Sequence, residues 1–285
     1  MALWYDEVTD DAVRFGLKVE RTLFMGKSEF QTVSVIETTA FGRALLLDDL
    51  WMTSERDEAV YHELIAHVPC TTAKRLERVL VIGGGDGGTV REVLKHSEVR
   101  HVDMVEIDGL VVETSKQYLG SIGSAWDDPR LRVTIGDGIA WVKRTDLEKY
   151  DVVIVDGSDP VGPAVGLFNE AFYAGCKSML RENGCFITQS ESPIMTKPVH
   201  LEMIRTIGKV FGAAYPLYGP VPLYPSGAWS WTYAHTGDAG FDRFAVDLAR
   251  AERIEAQSKY WNRDIHCGAF ALPNHVKRSL AAGTE

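Results

Sequence analysis

The sequence predicts an α/β fold in which a parallel sheet carries helices on both faces, with a small N-terminal antiparallel β domain in front of it. Three observations predict this. From Arg78 onward short apolar runs alternate with helical patterns, the signature of a parallel sheet covered on both sides. The first of those runs enters a glycine turn, Gly83-Gly84-Gly85-Asp86-Gly87-Gly88, directly ahead of a helical stretch from Thr89 to His96. Between Gly16 and Thr53 the pattern is instead one of short alternating runs broken by turn residues.

In chain order, Thr32 to Ile36 and Arg43 to Leu47 alternate as antiparallel strands, broken by Gly26, Gly42 and an Asp48-Asp49 turn. Ser54-Glu55-Arg56-Asp57-Glu58 reads as a helix start, with apolar residues at helical spacing through Val68. The expected division is residues 1–55 for the β domain and 56–285 for the catalytic α/β domain. Strands are expected at Val79 to Ile82, Val102 to Glu106, Val133 to Ile135, Val152 to Val155 and Cys185 to Thr188. Trp229 to Ala234 adds a late strand, and Phe241 to Gln257 reads as a helix.

The chain has 285 residues, 45% of them hydrophobic, enough for one large α/β domain and an appendage. A formal net charge of −10 disfavours DNA or RNA as a partner and favours attraction of small cations. No apolar run approaches the roughly 18 residues of a membrane span, and no basic leader precedes an apolar stretch at the start, so a cytoplasmic protein is expected. Cys70, Cys176, Cys185 and Cys267 have no paired spacing and are expected to be buried free thiols rather than zinc ligands or disulfides. His62 and His67 sit in a stretch that resembles a zinc-protease helix, but histidines five apart project about 140° apart and cannot share a metal, so none is expected.

The glycine turn holds the most telling residue. A glycine turn before a helix ordinarily suits phosphate, because free amides and the dipole end point at the ligand. Asp86 argues against that: two like charges about 4 Å apart repel by roughly 4 kcal/mol at an effective dielectric near 20. A cation is expected instead. Glu106 lies about 20 residues on, where a carboxylate accepts from a ribose diol. Asp137, in Gly136-Asp137-Gly138 after the third strand, can accept from an exocyclic amine such as that of adenine. Any one such acid could simply cap the next helix, as Asp108 could. Three at successive strand ends, with Gly83, Gly84 and Gly85 beside them, point to a positively charged adenosine, an S-adenosyl sulfonium.

The fourth strand ends in Asp156-Gly157-Ser158-Asp159-Pro160-Val161-Gly162-Pro163, a loop able to act as a lid or to be a plain solvated turn. Attack on a carbon beside a sulfonium in an acidic cleft implies an amine nucleophile. A primary amine with pKa near 10 is neutral about one time in a thousand at pH 7, a handicap of roughly 4 kcal/mol, so a general base is needed. Asp156, fixed at a strand end, suits that role, and Asp159 on the loop suits an ammonium anchor.

These residues resemble the polyamine aminopropyltransferases, spermidine synthase above all, over nearly the whole chain. The likeness takes in Phe41-Gly42-Arg43 with Leu47-Asp48, Ser54 to Glu58, Tyr61-His62-Glu63, the glycine turn, Glu106-Ile107-Asp108, Gly136-Asp137-Gly138, the loop from Asp156 to Pro163, and Tyr224-Pro225-Ser226-Gly227. It implies a Rossmann-like sheet of the methyltransferase type. It implies aminopropyl transfer from decarboxylated S-adenosylmethionine, a co-substrate rather than a prosthetic group, to putrescine, giving spermidine and methylthioadenosine without a metal. It also implies a homodimer or homotetramer. Carried over by position, Asp156 is the proton acceptor; Asp86, Asp159, Tyr61, His62 and Tyr224 contact the amines; and Gln31, Glu106, Asp137, Gly138 and Pro163 contact the donor nucleoside. Met52 departs from the family's usual glutamine and cannot replace its hydrogen bonds, so either the donor's tail is held differently or the acceptor differs. Glu191 either lengthens the acidic trough or is a solvated helix-start acid. Two rivals remain: an amine N-methyltransferase, which Asp86 opposes because that donor keeps its carboxylate, and a silent nucleoside or polyamine binder, which has no use for a base.

Overall fold

The structure, a computed structural model, describes residues 3–9, 11–158, 166–237 and 241–282. Five antiparallel strands form the N-terminal sheet in sequential order: β1 (Leu3–Thr9), β2 (Val13–Lys27), β3 (Thr32–Thr38), β4 (Gly42–Leu47) and β5 (Leu50–Ser54). The Asp48-Asp49 turn is as expected: Leu47 pairs with Leu50, and the two aspartates take φ of 46° and 71°, the left-handed pair that a two-residue hairpin needs. The sheet nevertheless starts earlier than the alternation suggests, and Gly16 and Gly26 lie inside β2 rather than bounding it. A Cβ on Gly16 would stand 2.1 Å from Asp6 Oδ1 on β1, so the glycine admits the neighbouring carboxylate. Register shifts between Val19 and Arg21 and between Thr22 and Phe24 break the two-residue period that would have revealed the strand. One face of the sheet packs Ile36, Leu46 and Trp51 with Leu223; the other packs Val33, Val35 and Leu45 against Val111, Leu119 and Ile122.

The first helix, α1 (Glu58–Thr72), opens after Asp57, not at Ser54. The Asp57 carboxylate accepts from Ser54 Oγ at 2.6 Å and from the Leu223 amide at 2.8 Å, tying β5, α1 and the loop before Tyr224 together. The helix also runs through Pro69, where the sequence pattern appeared to stop. Proline inside a helix costs about 3 kcal/mol, but every residue from Tyr61 to Thr72 is buried, and burial of that face outweighs the local penalty.

The main sheet follows: β6 (Arg78–Gly83), α2 (Gly88–Leu94), β7 (His101–Glu106), α3 (Gly109–Tyr118), β8 (Leu131–Ile135), α4 (Gly138–Trp141), β9 (Tyr150–Asp156), α5 (Glu170–Met179), β10 (Leu180–Gln189), α6 (Lys197–Phe211), β11 (Tyr215–Pro220) and β12 (Ala228–His235). Three short helices close the described chain: α7 (Leu248–Glu255), α8 (Arg263–Ala269) and α9 (Asn274–Ala282). The seven strands are ordered β11-β12-β10-β9-β6-β7-β8, with β12 antiparallel to both its neighbours. Alternate residues of one strand feed two cores. Val79 and Val81 pack with α1 residues such as Leu64 and Val68, and Leu80 and Ile82 pack with Phe172, Tyr173 and Phe186 on the other face.

Two expectations need correction. The stretch from Phe241 to Gln257 is helical only in α7: Asp247 caps it, accepting from Arg250 N. Ahead of it, Asp242 Oδ1 accepts from Phe244 N, and Arg243 lies over the rings of Tyr215, Phe244 and Phe270, which pins a loop there. Cys70, Cys176 and Cys185 are buried, but Cys267 is exposed.

Candidate active site

The chain leaves β6 for β7 on one side and later returns to β9 on the other, so the carboxyl ends of β6 and β9 part at a topological switch point, where open α/β sheets bind ligands. Gly83 and Asp156 are directly paired there. Gly84 N donates to the Asp156 carbonyl at 2.9 Å, and Gly83, at φ +83°, leaves no room for a Cβ, which would meet that carbonyl at 2.1 Å. The cleft at this point encloses about 1000 Å³, part of it open to solvent, and brings Tyr61, Asp86, Glu106, Asp137 and Asp156 to one wall system, with Gln31 and Tyr224 also lining it.

The turn uses its own amide. Asp86 Oδ1 accepts from Gly88 N at 2.7 Å, occupying a helix-start donor that a phosphate would need. Its Oδ2 lies 3.2 Å from His62 Nε2, and His62 Nδ1 lies 2.8 Å from Glu58 Oε2. Burial alone pulls His62 down, but the Asp86 and Glu58 carboxylates override it and hold the imidazolium well above the usual histidine range. Burial likewise pushes Asp86 up, and the His62 charge and hydrogen bond more than offset it, leaving Asp86 below the ordinary carboxylate value. Both ring nitrogens of His62 therefore face carboxylates, while the residue itself also lines the cleft.

Asp156 is held differently. Tyr61, from α1, donates to Oδ1 and Thr89, from the first turn of α2, donates to Oδ2, each at 2.7 Å. Burial raises Asp156 and the Asp86 charge adds to it; His62 and the two hydroxyls oppose this, and the pKa remains raised. A buried carboxyl of elevated pKa, oriented on both oxygens, is suited to taking a proton.

At the end of β7, Glu106 Oε1 accepts from Asp108 N at 2.9 Å, and burial pushes Glu106 up to about 7 despite that bond. Asp108 caps α3 through Leu110 N and takes Gln31 Nε2 at 3.0 Å, which fixes Gln31 on the cleft wall. Asp137 also caps a helix, accepting from Ile139 N at 2.7 Å, and lines the cleft as well, so capping does not take it away from the cleft. Gly138 is required by the protein itself, since a Cβ would come within 2.4 Å of Ile82 Cγ2.

A second cavity of about 380 Å³ continues from the first past Met52, Tyr61 and Tyr224 to Glu7, Gln189 and Trp229. Tyr224 donates to the Met52 carbonyl at 2.7 Å, so Met52 serves through its backbone while its side chain lines the cleft. Glu191 is buried, not solvated, with φ 68° and Thr196 Oγ1 at 3.0 Å from its Oε2. His67 diverges from His62 to reach Glu92 and His96. Asp159 and Pro163 lie outside the described residues. Sequence reasoning did not single out Thr89, Glu58 or Glu7, and it favours a core or interface place for Trp229, which lines the second cavity. Thr89 directly follows the glycine turn, and Glu58 stands one helical turn before His62; these were the available signals.

Residues 58–242 match the spermine/spermidine synthase domain, and residues 3–55 match the spermidine synthase tetramerisation domain. A polyamine aminopropyltransferase of Prochlorococcus marinus (strain MIT 9313) is 49% identical over 280 residues, covering 97% of this chain and 96% of the relative. One from Bacillus subtilis (strain 168) is 43% identical over 274 residues, covering 96% and 97%. Among solved structures, a spermidine synthase in complex with the transition-state analogue AdoDATO superposes with TM-score 0.93 at 38% identity, covering 98% of this chain and 95% of the other. The spermidine synthase of Thermotoga maritima gives TM-score 0.92, also at 38% identity, over 98% and 94%. With matches spanning both sheets, the chain belongs to the spermine/spermidine synthase family.

Proposed function

We propose that the cleft transfers the aminopropyl group of decarboxylated S-adenosylmethionine to putrescine, releasing spermidine and methylthioadenosine, in keeping with the aminopropyltransferase activity of the family. Asp86 is the observation that carries this reading: an anion in the glycine turn, kept ionised by His62, suits a donor tail ending in a bare ammonium and opposes one that keeps a carboxylate. Glu106 would accept from the ribose hydroxyls and Asp137 from the adenine amine, with Gln31 and Gly138 on the same wall. Gly83, Gly84 and Gly85 let the backbone approach the donor, and Asp159 and Pro163 keep the anchoring and nucleoside roles that the sequence suggests.

In the step itself, the amine nitrogen attacks the carbon next to the sulfonium, the carbon–sulfur bond breaks with its electron pair going to sulfur, and Asp156 takes the proton lost from nitrogen. Tyr61 orients that carboxylate. The second cavity is the place for the rest of the acceptor: Trp229 and Tyr224 would cover its methylenes, and Glu7, at the far end, would meet the distal ammonium. We read residues 1–55 as the assembling β domain and 56–285 as the catalytic domain. The chain forms a homo-oligomer, for which we favour a tetramer, and exposed Leu3 and Trp4 on β1 offer apolar surface for it. No described helix is long and apolar enough to cross a membrane.

One assay tests the reading. Each donor is supplied with putrescine and the nucleoside product identified: methylthioadenosine supports aminopropyl transfer, adenosylhomocysteine supports the methyltransferase, and neither product leaves a binder.

A further inference from the structure

Two aspartates face one cleft and differ in what touches them: Asp86 meets a cation, and Asp156 meets only neutral hydroxyls. The state of that cation follows from geometry. A neutral imidazole has one N–H, so with carboxylates at 2.8 and 3.2 Å from its two nitrogens one of them would face a ring lone pair; only the imidazolium donates to both. Glu58 supplies the second carboxylate, and it is braced in turn. Arg91 Nη2, from α2, lies 2.7 Å from Glu58 Oε2, while Arg91 Nε reaches Glu92 at 2.7 Å. Lys259 Nζ stands 3.7 Å from the other oxygen of Glu58. Glu58 is buried, and although burial would raise it, His62 and Arg91 hold it at about 2, so it is an anion throughout the working range. The ring packs directly on Gly88, where a Cβ would lie 2.2 Å from His62 Cε1.

We propose that Glu58 is a positioning residue of the transfer reaction: braced by Arg91, it fixes His62 as an imidazolium against Asp86, so that Asp86 stays the anion for the donor's ammonium and Asp156 is left to take the proton. The inference rests on the donor assignment made above. Two carboxylates sharing a water-poor cleft titrate as a pair, and without a local cation the shared proton has no fixed site. His62 breaks that symmetry. It stabilises the charge on Asp86, and that charge in turn disfavours ionisation of Asp156. Among the described residues, the charged and titratable groups around His62 are Glu58 and Tyr61 on its own helix, Asp86 in the turn, Asp156 reached through Tyr61, and Arg91 and Lys259 reached through Glu58. Among the described residues, only Glu58 and Asp86 contact the ring nitrogens.

Two measurements on the full chain decide it. Nitrogen-15 NMR of labelled histidine in the unmutated protein is expected to show His62 doubly protonated from about pH 6 to about pH 8.5, where an ordinary histidine would have lost its proton. A neutral His62 at about pH 7.5 overturns the proposal without any variant having to fold. In Glu58→Gln, the donor KM is expected to rise about tenfold at pH 8.5 but only about twofold at pH 6.5, where His62 still protonates, with kcat changed less than about threefold. Arg91→Gln is expected to move in the same direction by a smaller factor. A Glu58→Gln profile parallel to the unmutated one overturns the proposal. If the unmutated protein makes no methylthioadenosine, the donor assignment fails and takes the role in transfer with it, while NMR still decides the state of His62.

Discussion

At the end of the cleft proposed for the nucleoside, the acids are held by their own loops: Glu106 by the amide of Asp108 and Asp137 by the amide of Ile139, each two residues along the chain. At the other end, Asp86 also takes a local amide, that of Gly88, but both Asp86 and Asp156 are held in addition by side chains from elsewhere. Asp156 takes Tyr61 from 95 residues away and Thr89 from 67, and Asp86 takes His62 from 24. The difference follows from what each pair must do. An acid that receives a ribose or an amine needs a position, which a local turn supplies. An acid that anchors a cation or takes a proton needs a set protonation state, and that requires charges and hydroxyls that no neighbouring residue offers.

The comparison can be broken at several points. Asp156→Asn keeps the shape and removes the base, so turnover is expected to fall at least about a hundredfold while calorimetry still records donor binding. Near-normal turnover would take Asp156 out of the base role. Glu106→Gln is expected to do the reverse, raising the donor KM about 10- to 30-fold with kcat within about threefold, because one acceptor of two hydroxyl donors is weakened before the transition state is reached. A fall confined to kcat would place Glu106 at the wrong end.

The raised Glu106 also sets a pH dependence. Its ionised form is the one proposed to accept from the ribose, so binding is expected to release a proton, and donor affinity to rise with pH until it levels above about 7. Between pH 6 and pH 8 the gain is expected to approach about tenfold, and Glu106→Gln should flatten it; a slope unchanged in the variant would assign the proton to another group. The smallest effect is expected at Thr89. Thr89→Val removes one donor from the Asp156 carboxylate, costing about 3- to 10-fold in kcat and moving the acid limb of the kcat profile to higher pH, because a base with a higher pKa loses its charge sooner as pH falls. Thr89→Ser should restore both. An acid limb that stays in place would make Thr89 a packing residue.

The same division decided what could be read from the chain. The acids with local partners sit in short motifs with recognisable spacing, so Glu106, Asp108 and Asp137 were legible together with the sheet that presents them. Thr89 and Glu58 were not, since their partners depend on the adjacency of β6 with β9 and on the packing of α1 against α2. His62 was legible as a site residue, but its contact is with the turn's own carboxylate. In the fold, the strands of the parallel sheet stood out because both faces are apolar, whereas β2 was hidden by its bulges and β11, an edge strand with Pro216 and Pro220, lacks a clear pattern. Pro69 marked a helix end that burial carried past.

The contact between Gly88 and the His62 ring bears on redesign. Because a methyl group at position 88 would collide with the imidazole that touches Asp86, that position is constrained by the protein's own packing before any donor is considered. Latitude for altered specificity lies instead with Met52, which lines both cavities and has a side chain without a strong hydrogen-bonding group.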